Sequence, residues 1–258
     1  MLIPKESLSA LGVCFTFIGP AGAGKTTLAG SNCLSERYGG RTLVLDAEGG
    51  AKVIADDPGI EIASITRWAQ LDRVTSEFVQ GKYPEFKGVI LDNLIEYQKL
   101  NLAHLVGPTG TPEFKEWNQD SQDMRHLIRR WRDLARVRDI NVFFIGWDVE
   151  EKDSNGVRSK RTIQFTPALQ QEFPGIVDSI GIVTAIDNDP EHRVVDFTPS
   201  TRTIAKFRRG KSEAARKLPY KIRYGLDNLP IPDILAVMKG GGSWPAAKYP
   251  SEQPRQSR

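Results

Sequence analysis

Cysteine and histidine are scarce in this chain. Two cysteines and three histidines occur among 258 residues, and no Cys/His cluster has the spacing of a zinc site. Cys14 falls in an apolar run and Cys33 in a helix-like stretch, so both read as small buried residues rather than as a disulfide framework. Long hydrophobic runs are missing as well: none approaches the roughly 20 residues that a membrane-spanning helix needs. The first ten residues carry Lys5 and Glu6 and lack an apolar signal core, so a cytoplasmic protein is expected. No internal repeat is present. A large excess of one charge is also absent, with 35 Lys and Arg against 32 Asp and Glu. The signs are nevertheless unevenly placed. Residues 46–96 hold ten acidic and five basic side chains, whereas residues 202–223 hold nine basic and one acidic, Glu213. The basic segment suits an anionic partner, and a solvated basic surface is its plainer reading.

What the chain does have is Gly19-Pro20-Ala21-Gly22-Ala23-Gly24-Lys25-Thr26, followed by Thr27. This fits the phosphate-binding template G-x-x-x-x-G-K-[ST] at every fixed position. The β-branched and aromatic run 13–18 before it reads as a buried strand, and a helix begins at Thr26-Thr27-Leu28-Ala29. Glycines let backbone N–H groups turn inward, and the helix N-terminus adds positive partial charge. Lys25 is then expected at the β- and γ-phosphates of ATP, with the Thr26 hydroxyl on Mg²⁺.

Read in order, the first helix is expected over 25–38, stopped by Gly39-Gly40. A strand over 42–45 ends in Asp46-Ala47-Glu48. A carboxylate just past the C-terminal end of a parallel strand lies on the ligand edge, so Glu48 is placed either to activate water or simply to cap a loop. Residues 60–65 alternate as a short strand, and 68–80 have helical spacing, with Trp68 in the core. Gly88-Val89-Ile90-Leu91-Asp92-Asn93 is an apolar strand ending in Asp, which makes Asp92 the second Mg²⁺ candidate. A helix over 94–105, a Gly/Pro loop over 106–112 and an amphipathic helix over 117–138 follow. The strand 141–146 leads to Trp147 and Asp148, then to a polar basic hairpin or loop over 150–161 carrying Lys152, Arg158, Lys160 and Arg161. Strands over 162–165 and 178–186 flank a short helix opening at Pro167. Residues 193–197 and 203–207 look like a closing β pair, and a last helix spans 230–238. The domain is expected to occupy 1–239, with a disordered tail over 240–258.

These residues resemble the RecA-like ATPase core, and more narrowly the compact phage nucleotide-binding proteins that are core-only RecA relatives acting in single-strand annealing. The resemblance rests on the phosphate loop, Asp46-Ala47-Glu48, Ile90-Leu91-Asp92-Asn93 and Ile204-Ala205-Lys206-Phe207-Arg208, within 13–223. It implies an α/β fold: a mostly parallel central sheet flanked by helices, with a C-terminal antiparallel extension. It implies an ATPase, stimulated by single-stranded DNA, with Lys25 and Glu48 catalytic and Thr26 and Asp92 on Mg²⁺. Lys206 and Arg208 fall where the family places a cation that reaches a neighbouring subunit's nucleotide in a ring or filament. The loops over 106–118 and 149–161 correspond to the family's DNA-binding loops, and a single-stranded-DNA-binding protein is a further partner. Where recombinases carry a polar sensor, this chain has Trp147 and Asp148. A nucleotide or small-molecule kinase, a helicase loader or motor, and a nucleotide-dependent binding module share the phosphate loop and stay open as alternatives.

Overall fold

The computed structural model describes residues 11–107, 109–152, 156, 158–186, 189–210 and 212–249. Five apolar strands build its centre: β1 (Cys14–Ile18), β2 (Thr42–Asp46), β4 (Gly88–Asp92), β5 (Asn141–Gly146) and β8 (Ser179–Ile186), with β3 (Ile60–Ser64) outside β2. Their order is β8-β1-β5-β4-β2-β3, and every neighbouring pair is parallel. Strands β1, β2, β4 and β5 are buried along their whole length, as their unbroken apolar sequences require.

Alternation splits their side chains between two cores. Cys14, Leu45, Leu91 and Phe144 face α2 (Trp68–Val79), α3 (Leu94–Val106), α4 (Phe114–Arg138) and α5 (Pro167–Ile176). Phe15, Phe17, Val44 and Phe143 face α1 (Lys25–Gly30) and α7 (Ile231–Met238). Phe15 stacks on Phe143 with centroids 6.0 Å apart, and Phe197 meets both Phe15 and Phe17 edge-on.

The antiparallel extension is β9 (Asp189–Asp196), between β8 and β11 (Lys221–Gly225). The closing pair expected between 193–197 and 203–207 does not form. The short strand β10 (Lys206–Phe207) instead pairs with the first half of β8, because β9 occupies the second half. The expected basic hairpin is present as β6 (Asp148–Lys152) and β7 (Arg158–Ile163). Strand β7 takes in half of the strand expected over 162–165.

The first helix is shorter than expected, ending at Gly30 and continuing as a 3₁₀ turn over Ser31–Leu34. The competing force is a buried amide cluster. Asn32 Nδ2 donates to Thr42 Oγ1 at 2.9 Å, and Asn141 Nδ2 donates to Asn32 Oδ1 at 2.8 Å and to the Tyr38 carbonyl at 2.7 Å. These bonds pull the chain out of the helical path towards the sheet. Residues 240–249, expected within the disordered tail, pack back on α7: Tyr249 is buried, stacks on Trp244 with centroids 4.5 Å apart, and donates to Asp233 at 2.5 Å. The remainder of the expected tail, 250–258, lies outside the described residues. No helix among the described residues is long and apolar enough to cross a membrane. The short helix α6 (Glu213–Arg216) completes the fold beside α7.

Candidate nucleotide site

All parallel strands end on one edge, and the site is assembled there. The phosphate loop turns from β1 into α1. Gly24 sits at φ +87°, a left-handed conformation that suits glycine. Gly19 passes so close to β8 that an added Cβ would lie 2.2 Å from the Val183 carbonyl oxygen. Lys25 is buried, and its ammonium donates to the carbonyls of Gly19 at 3.0 Å and Pro20 at 2.8 Å. Burial lowers its pKa, opposed by the negative charges of Asp92, Glu48 and Asp148.

Strand β5 separates β1 from β4, so Asp92 approaches the loop from across one strand. It is nonetheless within 2.6 Å of the Thr26 hydroxyl, which donates to Asp92 Oδ2. Asp92 is 2% exposed, and desolvation raises its pKa to about 6, against the lowering effect of the Thr26 hydrogen bond. Two hard oxygen donors therefore meet at the mouth of the loop, a set that suits Mg²⁺.

Glu48 is exposed and accepts a hydrogen bond from Asn93 Nδ2. Asn93 is fully buried, and its Oδ1 accepts from the Glu96 backbone N–H at 2.9 Å, capping α3. One side chain thus both starts a helix and orients the candidate base. Asp46, also buried, holds the loop beneath Glu48: its carboxylate accepts the backbone N–H groups of Glu48, Gly49 and Ala51 at 3.0, 2.7 and 3.2 Å. Sequence reasoning gave neither Asn93 nor Asp46 a role of its own. The signal for Asn93 was the cap pattern Asn-x-x-Glu directly after the strand.

Lys25, Thr26, Glu48 and Asp92 all line one cleft of about 610 Å³, together with Trp147 and Arg193. Of the phosphate-loop residues, Ala21, Gly22, Gly24 and Thr27 also reach its wall, and Ala23 is buried behind it. Trp147 is half-buried there, with the Lys99 ammonium 5.5 Å from its ring centroid, so it is a wall of the cleft and not a core residue.

The remaining candidates lie elsewhere. Lys206 is committed to its own chain: its ammonium donates to the carbonyls of Pro174 at 2.5 Å and Val177 at 2.7 Å, capping α5. To reach a neighbouring subunit's nucleotide it would have to exchange these two bonds. Arg208 is half-exposed and 3.6 Å from Asp178. On the β6–β7 hairpin, Lys152 and Lys160 are exposed, whereas Arg161 donates to Asp148 at 2.5 Å. Cross-strand register sets Glu150 against Arg161 and Glu151 against Lys160, so the hairpin is closer to charge balance than its basic residues alone suggest. Arg158 lies on β7 opposite Lys152, and its side chain is outside what is described.

A family model described as an AAA domain matches residues 11–209. Among solved structures, one titled as the crystal structure of the RadB recombinase is similar, with 20% identity, 74% of this chain and 85% of that chain covered, and a TM-score of 0.46. No curated protein matches the sequence.

Proposed function

The chain belongs to the AAA-domain family, and from that premise we propose that it binds and hydrolyses ATP as a RecA-like ATPase, acting on single-stranded DNA in recombination or strand annealing. One observation carries the ATPase reading: Lys25, Thr26, Glu48 and Asp92, from three strand ends, face one cleft. Lys25 exchanges its bonds to the Gly19 and Pro20 carbonyls for phosphate oxygens. Thr26 and Asp92 are the protein's share of a Mg²⁺ site, the rest coming from phosphates and water; when bound, the metal neutralises phosphate charge. Glu48, exposed to solvent and oriented by Asn93, accepts the proton of the attacking water.

The DNA part rests on exposed cations. Lys152 and Lys160 project from the hairpin that follows β5, and Arg202, Arg208, Arg216 and Lys217 are exposed in the basic segment. Such cations suit a sequence-tolerant phosphate contact whose strength falls with salt. Arg161 belongs to the scaffold of that surface, since it is tied to Asp148. A ring or filament in which Arg208 approaches a neighbour's nucleotide is part of the same reading.

ATP turnover with and without single-stranded DNA tests the proposal. The expected result is Lys25-dependent hydrolysis that rises when DNA is added. Turnover unchanged in Lys25→Ala would remove the phosphate-loop assignment. Hydrolysis indifferent to DNA, together with phosphate transfer to a nucleotide or small molecule, would favour a kinase.

A further inference from the structure

One buried cation at the site belongs to no sequence motif. Arg193 lies on β9, outside the parallel core. Ile18, the last residue of β1, pairs with Ile182 on β8, and Ala185, three residues further along, pairs with Arg193. Arg193 therefore sits beyond the end of β1, at the level of the phosphate loop. It shares a strand face with Val195 and Phe197, both buried in the core on the α1 side. The row Arg193, Val195, Phe197 thus leads out of the core onto the loop.

The contact there is close. A Cβ placed on Gly24 would fall 1.8 Å from Arg193 Nη1 and 2.8 Å from its Nε, so the guanidinium lies against the backbone next to Lys25. Arg193 is 8% exposed. Its Nε and Nη1 are buried with no hydrogen-bond partner, and it makes no ion pair among the described residues. The hydroxyl of Tyr224, its register partner on β11, is also buried without a partner. A desolvated guanidinium with idle donors is costly unless an acceptor arrives. It lines the same cleft as Lys25, Thr26 and Asp92, so an anion bound in the loop is the acceptor within reach.

We propose that Arg193 is a phosphate ligand supplied by the same chain, its guanidinium donating to the nucleotide's phosphate oxygens alongside Lys25. This rests on the phosphate-loop reading and extends it. The site then holds two cations of its own, Lys25 and Arg193. Guanidinium suits the task, since its planar fork matches phosphate geometry.

The test is equilibrium binding of a non-hydrolysable ATP analogue and of inorganic tripolyphosphate to the parent, Arg193→Met and Arg193→Gln. Both variants should lose about 10- to 100-fold in affinity for both ligands, the scale of charge-assisted hydrogen bonds. The ligand-free melting temperature should stay level or rise, since an unpaired buried charge is removed. Affinities within threefold of the parent would overturn the proposal. So would variants that fail to fold or melt more than about 5 °C lower, because the guanidinium would then be a structural group. A parent that binds neither ligand would instead show that the phosphate-loop reading itself has failed.

Discussion

Glu48 and Asp92 are both carboxylates at strand ends, yet their surroundings assign them different work. Glu48 is exposed and held through Asn93. Glu48→Gln keeps that side chain's length but cannot accept a proton, so turnover should fall by about 10²-fold or more while nucleotide affinity is kept. Rates and affinities measured on the same preparation check this; lost affinity with retained turnover would make Glu48 a structural group. Asp92 is sealed, and burial raises its pKa to about 6 from 3.8. The ligand-free fold is therefore relieved of its charge below pH 4 and bears the full cost once pH has risen through about 6. Asp92→Asn removes that cost and still accepts the Thr26 hydrogen bond. At pH 8 it should melt several degrees above the parent, equivalent to roughly 3 kcal/mol, with the gain gone by about pH 4. It should also lose Mg²⁺-dependent turnover, so the same change stabilises and inactivates. At this scale the phosphate-loop spacing and an apolar strand ending in Asp singled out Lys25, Thr26 and Asp92, and the fold brings the three to one cleft. Arg193 was not legible by motif, because its approach to Gly24 depends on how an antiparallel strand registers on β8. The alternation Arg193, Val195, Phe197 was its one trace.

Among the elements, strands were easier to read than the points where helices stop. A parallel strand buried on both faces has few alternatives, and β1, β2, β4 and β5 fall where their apolar runs lie. The end of α1 is set by tertiary amide bonds that outweigh the glycine stop signal at Gly39-Gly40. Asn32 is fully buried at that junction. Asn32→Leu should cost about 2–4 kcal/mol, since it leaves one of the two Asn141 amide N–H groups without its acceptor and removes the donor to Thr42 Oγ1. Chemical denaturation checks the figure, and a loss under about 0.5 kcal/mol would show that the cluster does not hold the turn. The pairing of 203–207 was misread for a related reason. Its short apolar run fits any open edge, and the vacant half of β8 is where it binds.

As a whole molecule, the protein gathers its candidate chemistry on one sheet edge, and exposed cations stand on the hairpin that follows β5 and on the C-terminal basic segment. Ligand binding at that edge should be felt globally. Saturating ATP analogue with Mg²⁺, at about 100 times its dissociation constant, should add roughly 2.7 kcal/mol, or several degrees in melting temperature. Lys25→Ala should abolish the increment. DNA affinity should fall steeply with salt, and Lys152→Ala with Lys160→Ala should lower the slope of that dependence by up to about 2. An unchanged slope would move the contact to the exposed arginines of residues 202–223.

The pairing of β1 carries a consequence for how the chain is made. Its neighbours in the sheet are 142–146 and 179–182, more than a hundred residues downstream. A ribosome therefore releases the phosphate loop long before the strands that flank it, and β9 emerges later still. Until then β1 is an apolar strand with both edges open, the kind of segment that chaperones hold and that aggregates when left alone. Closing such distant contacts is slow, because loop entropy is spent before any pairing rewards it. Nucleotide in the cell would thus act on the finished chain as a clasp. Stalled chains ending before β8 should be cleaved readily by protease with or without ATP, and chains extending past β11 should gain protection when ATP is supplied.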